Sequence, residues 1–146
     1  MAGAEYKKHL SGIELKGIEL LNSSLNLLPA QTKVDEFKYN INLESKADTR
    51  NKLFFVVVAV DVKNDDETIV FGSLIVSCIF QLENFDQVIQ FDAENKLNVP
   101  QSLIDLVNTI SISTVRGIMF SIFKGTILHN AFLPIIDAEQ LYMQKA

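Results

Sequence analysis

Two consecutive strand-like segments that are apolar on both faces constrain this chain more than any other feature. The segments Leu53–Val62 and Thr68–Leu82 place Val, Ile, Leu or Phe on both alternations. Between them, residues 63–67 read Lys-Asn-Asp-Asp-Glu, a polar break of hairpin length. Parallel strands need a crossover of about a dozen residues or more, so the pattern predicts two adjacent antiparallel strands.

This hairpin has no polar face to turn toward water. An antiparallel sheet normally leaves one face solvated, and exposed apolar patches beyond a few hundred Å² are rare in monomers. A helix can cover one face, but the other then needs a second sheet, another subunit or a ligand. The pattern therefore predicts a homo-oligomer.

Two further segments, both before the hairpin, have the pattern of strands. The segment Glu36–Glu44 alternates apolar with charged or amide side chains, which is typical of a half-buried antiparallel strand. The earlier residues 13–27 alternate less regularly, because Gly17 interrupts the phase. A bulged strand, or a short helix followed by a strand, fits this segment; we favour a strand over about Gly17–Leu27.

The rest of the chain predicts an irregular crossover and a long helix. The crossover spans Asn84–Asn98, where Asn98 is a cap candidate for the helix that follows. Gly125 is a natural helix stop. Further helix signals are Pro100 in the first turn, Ser102 and Asp105 at capping-box spacing, and an apolar stripe of Leu103, Val107, Ile110, Ile118 and Ile122. A mostly apolar loop over residues 126–134 and a short terminal helix over residues 137–143 are expected to follow.

The pattern alone thus predicts four strand segments, two of them an antiparallel hairpin, followed by a long helix and a short terminal helix. The 146 residues fit one domain, which we place at residues 13–146 after a flexible N-terminus of residues 1–12. The 48% of hydrophobic residues suffice for a core.

Charge and hydropathy exclude several function classes. The chain has thirteen basic and eighteen acidic residues, and the basic ones are scattered. The sequence therefore predicts no basic surface that could bind the phosphates of a nucleic acid. The longest unbroken apolar run, Leu53–Val60, is far shorter than the ~20 residues that a membrane-spanning helix needs. No apolar signal region follows Lys7 and Lys8. We expect a cytoplasmic protein with no membrane insertion.

Residues able to carry catalysis or bind a metal are few. The histidines are His9 and His129, and the single cysteine, Cys78, lies inside an apolar run where a small buried hydrophobe is the usual occupant. The six glycines, at 3, 12, 17, 72, 117 and 125, form no phosphate-binding loop. Arg116 fits a structural ion pair better than an anion site. We therefore expect no catalytic residue, no metal, no cofactor and no enzyme activity.

The crossover instead offers apolar side chains in an irregular setting. Phe85 and Phe91, with Val88 and Ile89, can form the mobile wall of an apolar groove that binds extended polypeptide or lipid. A loop held down by its own aromatic side chains explains the same residues, and both interpretations stay open.

Three stretches in the C-terminal half share the pattern of a known family. They are Cys78-Ile79-Phe80, then Thr114-Val115-Arg116-Gly117 leading to Lys124-Gly125-Thr126, and residues 133–142, Leu-Pro-Ile-Ile-Asp-Ala-Glu-Gln-Leu-Tyr. Over roughly residues 13–145 the chain resembles the SecB-type protein-export chaperones. The resemblance implies an α+β fold, with a four-stranded antiparallel sheet, the long C-terminal helix packed on it and the short terminal helix. It also implies an ATP-independent holdase, assembled as a dimer of dimers, that binds unfolded polypeptides in apolar grooves between sheet, crossover and helix.

The resemblance also implies which residues bind peptide. Val70, Leu74 and Val76, with Gly72 between them, would be the groove-facing positions of the fourth strand, and Phe85 and Phe91 are our own addition from the crossover. On this expectation Leu74→Asp weakens client binding without loss of the fold. Phe71, Ser73, Ile75 and Ser77 would then form the opposite face of that strand.

The chain departs from the family pattern where the family docks the translocation motor SecA. The acidic positions of that surface fall on Asn22, Asn26 and Ser73, none of which is charged, so electrostatic complementarity is lost. Docking of SecA is therefore doubtful, and a SecB-like holdase serving another system, such as a toxin–antitoxin pair, fits as well. Two rival functions remain: a small-molecule or lipid carrier with an apolar cavity under a curved sheet, and a purely structural oligomeric module.

Overall fold

A four-stranded antiparallel sheet with one long helix on it forms the body of the protein. The computed structural model describes residues 12–28 and 36–136. The strands, β1 (Ile13–Leu25), β2 (Lys38–Asp48), β3 (Leu53–Lys63) and β4 (Val70–Leu82), lie in the order β1-β4-β3-β2. The apolar hairpin β3–β4 is thus central, while β1 and β2 form the two edges.

A crossover joins β4 to the helix. It contains the short helix α1 (Phe85–Val88) and a two-stranded ribbon of β5 (Gln90–Phe91) and β6 (Leu97–Asn98), and it leads into α2 (Gln101–Phe123). The predicted α+β class, the four-stranded antiparallel sheet and the long helix are confirmed. The predicted terminal helix over residues 137–143 and most of the predicted flexible N-terminus lie outside the described residues.

The first strand is a bulged strand, one of the two alternatives that the sequence left open. Its pairing with β4 shifts between Leu15 and Gly17 and again between Leu20 and Asn22. Lys16 and Leu21 are therefore the extra residues of two bulges. The strand begins at Ile13, earlier than the predicted Gly17, because the first bulge absorbs the break in alternation.

The core lies between α2 and one face of the central hairpin. Phe54, Val56 and Val58 of β3 are fully buried there, as are Val76 and Phe80 of β4. The buried helix positions are Val107, Asn108, Ser111, Ile112, Val115, Met119 and Phe123. Burying a side chain of valine size or larger contributes about 1.5–3 kcal/mol relative to leaving it in water, so this layer dominates the stability of the fold.

Helix α2 ends as the sequence predicts and begins differently. Gly125 adopts a left-handed φ of 79°, and the N–H of Thr126 donates to the carbonyl of Phe123. At the other end Pro100 is the N-cap residue and no side chain caps the helix. The expected capping box does not form, because the helix already begins at Gln101 and Ser102 therefore lies inside its first turn. Asp105 accepts a hydrogen bond from the Gln101 side-chain amide, at 2.8 Å.

Although the chain has no unbroken apolar run of membrane-spanning length, α2 is long and apolar enough to cross a membrane by length and composition alone. The core helix of a globular domain has the same length and composition. Here Val107 and Val115 are fully buried against the sheet, so α2 serves as a core helix in this structure.

Gly72 of β4 gives a sharp test of the packing between sheet, helix and C-terminal loop. A Cβ at this position would lie 2.7 Å from the Cδ1 atom of Leu128 and 2.9 Å from the carbonyl oxygen of Ser24. We expect Gly72→Ala to lower the free energy of unfolding by about 1–3 kcal/mol, measured by urea denaturation.

Gly117→Ala is the matched control, since a Cβ there meets no atom within 4 Å. It replaces a helical glycine and is expected to raise the free energy of unfolding by about 0.5–1 kcal/mol. Equal stability of the two variants would contradict the packing described for Gly72.

Candidate functional site

A row of large apolar side chains on β1 lies open on the helix side of the sheet. Its members pair with Phe80, Cys78, Val76 and Gly72 of β4, and cross-strand partners share a face. We call this set the β1 row: Leu15, Ile18, Leu20 and Leu25. Helix α2 packs on β3 and β4, so the row lies beyond the helix and its side chains remain 43–48% exposed.

An apolar pocket adjoins this row where β1 begins. Its lining residues come from β1, the end of β4, the crossover and the first turns of α2: Gly12, Ile13, Leu82, Asn84, Val88, Pro100, Ser102, Leu103 and Leu106. The volume is about 310 Å³, at the lower end of ligand pockets and suited to a large side chain. Asn84 and Ser102 supply hydrogen-bonding groups, and none of these lining residues is ionisable.

A second pocket of about 350 Å³ lies beside the first and has a charged rim. Lys52, in the β2–β3 turn, forms an ion pair with Asp86 of α1 and lies 5.6 Å from the ring centroid of Phe85. The turn itself is held by Asp48, whose pKa is lowered by hydrogen bonds from the Asn51 side chain and backbone. The crossover is thus fastened to the β2–β3 turn.

The crossover is both a segment held down by its own apolar side chains and a wall of a pocket, the two interpretations that the sequence left open. Phe85 and Ile89 are buried and hold the segment down on the core. Val88 lines the first pocket, and Phe91 is 45% exposed. The segment is therefore anchored by some of its apolar side chains and forms a pocket wall with another.

The five residues expected to bind peptide do not come together. Leu74 and Val76 are 1% and 0% exposed, because they lie beneath α2, and Phe85 is 3% exposed. The expectation that these three line an open groove is thus corrected by the structure: their side chains belong to the core of the subunit. Of the set, Phe91 and the partly exposed Val70 remain accessible.

Val70 also lies on the other face of the sheet from the one expected. It pairs with Lys63, whereas Gly72 pairs with Val62, so a bulge at Phe71 reverses the alternation. Phe71 itself is fully buried, with its ring edge-to-face against Phe37 at a centroid distance of 6.0 Å.

The sequence contained a signal for the β1 row that simple alternation misses. Apolar residues recur at 13, 15, 18, 20 and 25, and two one-residue bulges bring them onto one face. A period-2 template without bulges assigns them to both faces. The strand β4 has no extra residue opposite these two bulges, so the change of face along β1 becomes visible only in its pairing with β4.

The outer face of the sheet carries an apolar strip with polar margins. Phe55, Val57, Ile75 and Ile79 form its centre, and none of the described helices lies on this side. Ser73 donates a hydrogen bond to Asp61 across the ladder, at 2.6 Å. Although Ser73 is uncharged, the pair therefore places a carboxylate at this point of the outer face.

The residues weighed for chemistry have structural roles. Cys78 is fully buried, and burial raises the pKa of its thiol, although hydrogen bonds with Ser111 and Thr114 act in the opposite direction. Arg116 donates to the carbonyls of Leu133 and Pro134 and so fixes the segment after α2. His129 accepts a hydrogen bond from the N–H of Gly125 through Nδ1. His9 lies outside the described residues.

Neither the family models nor the curated proteins include a match to this chain. Among solved structures, the chain is similar to the Mycobacterium tuberculosis SecB-like chaperone Rv1957 in complex with a ChAD peptide from the Rv1956 HigA1 antitoxin. The TM-score is 0.55 at 12% sequence identity, and the match covers 86% of this chain and 92% of that one. The chain thus has the SecB-like fold that its C-terminal motifs predicted.

Leu74→Asp now has an expected outcome opposite to the one drawn from the sequence. A carboxylate at this 1% exposed position would be buried without a partner, so we expect a loss of more than about 4 kcal/mol of stability. Circular dichroism during urea titration measures it. Phe91→Asp, on the exposed crossover, is the control and should keep the wild-type midpoint; a folded Leu74→Asp protein would contradict the assignment of Leu74 to the core.

Proposed function

We propose that this protein is an ATP-independent holdase chaperone of the cytoplasm, which binds unfolded or non-native polypeptides through apolar surfaces and performs no covalent chemistry. The observation that carries the proposal is the apolar pocket where β1 begins, with the exposed Leu106 in its wall and the exposed Phe91 on the same crossover, on a SecB-like fold. Exposed apolar side chains of this kind can capture unfolded chains, since those display the same kind of side chains.

The binding physics fits a client without a fixed sequence. Each apolar contact is weak, and affinity comes from many of them, because each bound segment raises the effective concentration of the next. A pocket of about 310 Å³ with apolar walls accepts a large side chain without demanding one particular residue. No step of this binding requires nucleotide hydrolysis.

We assign the peptide-binding roles in two layers. Val88, Leu103 and Leu106 contact the client in the pocket, and the exposed Phe91 extends this surface along the crossover. Leu74, Val76 and Phe85 act from the core by holding the sheet, α2 and α1 in place. Val70, on the outer face, has no part in this surface.

The β1 row also supports the proposal of a homo-oligomer, assembled as the dimer of dimers that the family resemblance implies. Four apolar side chains at 43–48% exposure on an edge strand are costly to leave in water. A second copy placed against β1 buries them, and more subunits bring more client surfaces together.

The client class that we propose first is a toxin–antitoxin partner rather than an exported protein. The similar structure Rv1957 is described in complex with a peptide from an antitoxin. Docking of SecA is less well supported, because Asn22, Asn26 and Ser73 carry no charge, although Asp61 beside Ser73 supplies one carboxylate. The rival function, a lipid carrier, needs an enclosed cavity larger than the described pocket.

The test of the function is light scattering from a chemically unfolded client that is diluted into buffer without nucleotide. We expect near-stoichiometric amounts of the oligomer to suppress aggregation. Leu106→Ser should weaken suppression several-fold, because it removes an apolar wall of the pocket. Ile127→Ser is the control: Ile127 is similarly exposed but does not line the pocket. No suppression by the folded protein, or a lipid that copurifies with it, would favour the carrier.

The proposed oligomer is tested on β1 with two lysine substitutions of equal charge. Leu20 pairs with Val76 and Asn22 pairs with Ile75, so the two side chains lie on opposite faces of the sheet. We expect Leu20→Lys to weaken the free energy of association by about 2 kcal/mol or more per interface and so to dissociate the oligomer. Asn22→Lys should leave the oligomer intact. Sedimentation velocity measures both. An oligomer that survives Leu20→Lys would show that the β1 row is not its interface.

A further inference from the structure

Lys52 has a left-handed backbone in the turn between β2 and β3. Its φ is 59°, in a region that glycine adopts freely and asparagine adopts more readily than lysine. The turn is held by other groups, since the Asp48 carboxylate accepts hydrogen bonds from the N–H groups of Arg50 and Asn51. The backbone therefore disfavours a lysine at this position, and the role of the residue lies in its side chain.

The Lys52 side chain joins this turn to the crossover. Its Nζ donates to the carboxylate of Asp86 and lies 5.6 Å from the ring centroid of Phe85, so an ion pair and a cation–π contact act on the first two residues of α1. Lys52 and Asp86 are 34 positions apart in the chain. Three other ion pairs join residues only two positions apart: Lys16 with Glu14, Lys46 with Glu44, and Lys96 with Glu94. The Lys52 contact thus connects two segments that are distant in the chain.

The short helix α1 contributes to both pockets. Residues 85–87 line the second pocket, and Val88 lines the apolar first one. Two backbone hydrogen bonds close this turn, from the N–H of Val88 to the carbonyl of Asn84 and from the N–H of Ile89 to the carbonyl of Phe85. A helix of one turn has little stability of its own. The position of the Val88 wall therefore depends on the contacts that hold α1 from outside.

We propose that Lys52 is a positioning residue of the client pocket: through Asp86 it holds α1 in place, so that Val88 presents a preformed wall to an apolar side chain. This inference rests on the proposed holdase function. A preformed wall binds more tightly than one that is ordered only on binding, because the ordering costs conformational entropy.

The exposure of the ion pair determines how it acts. Burial of Phe85 anchors one side of α1 in the core, whereas the side chains of Lys52 and Asp86 are 45% and 75% exposed. An ion pair this exposed adds little to the stability of the whole domain, and salt screens it. It acts instead on the local closure of α1, and it makes the affinity of the pocket depend on ionic strength.

Hydrogen exchange at the amides of Val88 and Ile89 measures the closure of α1 without any client. Lys52→Asn removes the charge and keeps the turn, since asparagine adopts a positive φ more readily than lysine. We expect this variant to exchange the two amides about two- to fivefold faster than the wild type, with an unchanged urea midpoint. Raising the salt concentration from about 0.05 M to about 0.5 M should speed the exchange in the wild type only.

Two control variants separate the Lys52 contact from a general effect of charge. Lys96→Asn removes the same charge from an ion pair confined to the turn between β5 and β6, and should leave both amides at the wild-type rate. Lys52→Arg keeps the charge, so it should keep the wild-type exchange rate and its dependence on salt.

Affinity for a ligand of the pocket is the second readout. The probe is a short acetylated and amidated peptide of phenylalanine, glutamine and serine, which carries no charge of its own. In calorimetric titration we expect Lys52→Asn to bind it about two- to fivefold more weakly than the wild type at low salt. At high salt the two proteins should bind it equally, because screening removes the ion pair from the wild type as well.

Four results overturn the proposal. Wild-type exchange at Val88 and Ile89 in Lys52→Asn would show that the ion pair does not hold α1, and a lowered urea midpoint would show that its role is global. Faster exchange with unchanged peptide affinity would show that the pocket does not depend on α1. A wild-type protein that binds an unfolded protein but not the peptide would exclude the pocket as the site. These results leave the holdase function intact, whereas failure of the wild type to bind either probe refutes it.

Discussion

Burial of the central hairpin is the constraint on which the rest of the structure depends. Strands β3 and β4 are apolar on both faces, and α2 covers one of them with Val107, Val115 and Met119. An α-helix with its side chains is about 10 Å wide, and neighbouring strands lie about 4.8 Å apart, so one helix covers about two strands. The four-stranded sheet is therefore wider than its cover.

The uncovered margin of this sheet is where binding is proposed. The β1 row remains open beyond α2, and the apolar pocket lies where β1 begins. The crossover, fastened by Lys52 to Asp86 and by Phe85 to the core, closes one end and shapes the apolar pocket. A stable centre with an open margin suits a protein that captures other chains, because the fold does not depend on the surfaces that bind.

The amino-acid sequence predicted the elements well and the exposure of the expected peptide-binding residues less well, for physical reasons that can be named. Apolar content on both faces identified the central hairpin, and Gly125 identified the end of α2. The placement of α2 over β4 was not readable from the pattern, so Leu74 and Val76 were expected in an open groove. The bulge at Phe71 moved Val70 to the other face, and the bulges at Lys16 and Leu21 concealed the β1 row. Bulges change the face of every later residue, yet they leave little trace in composition.

Backbone hydrogen exchange, followed by NMR with and without an unfolded client, tests most directly the claim that the uncovered margin of the sheet binds other chains. The interior amides of β3 and β4 should exchange slowly in both states, since both strands are paired on each side. We predict that amides of β1 gain protection with rising protein concentration, and that amides of the crossover and of the first turns of α2, around Val88 and Leu103, gain it only when the client is added. No concentration-dependent change along β1, or no client-induced change around Val88 and Leu103, would contradict this view of the molecule.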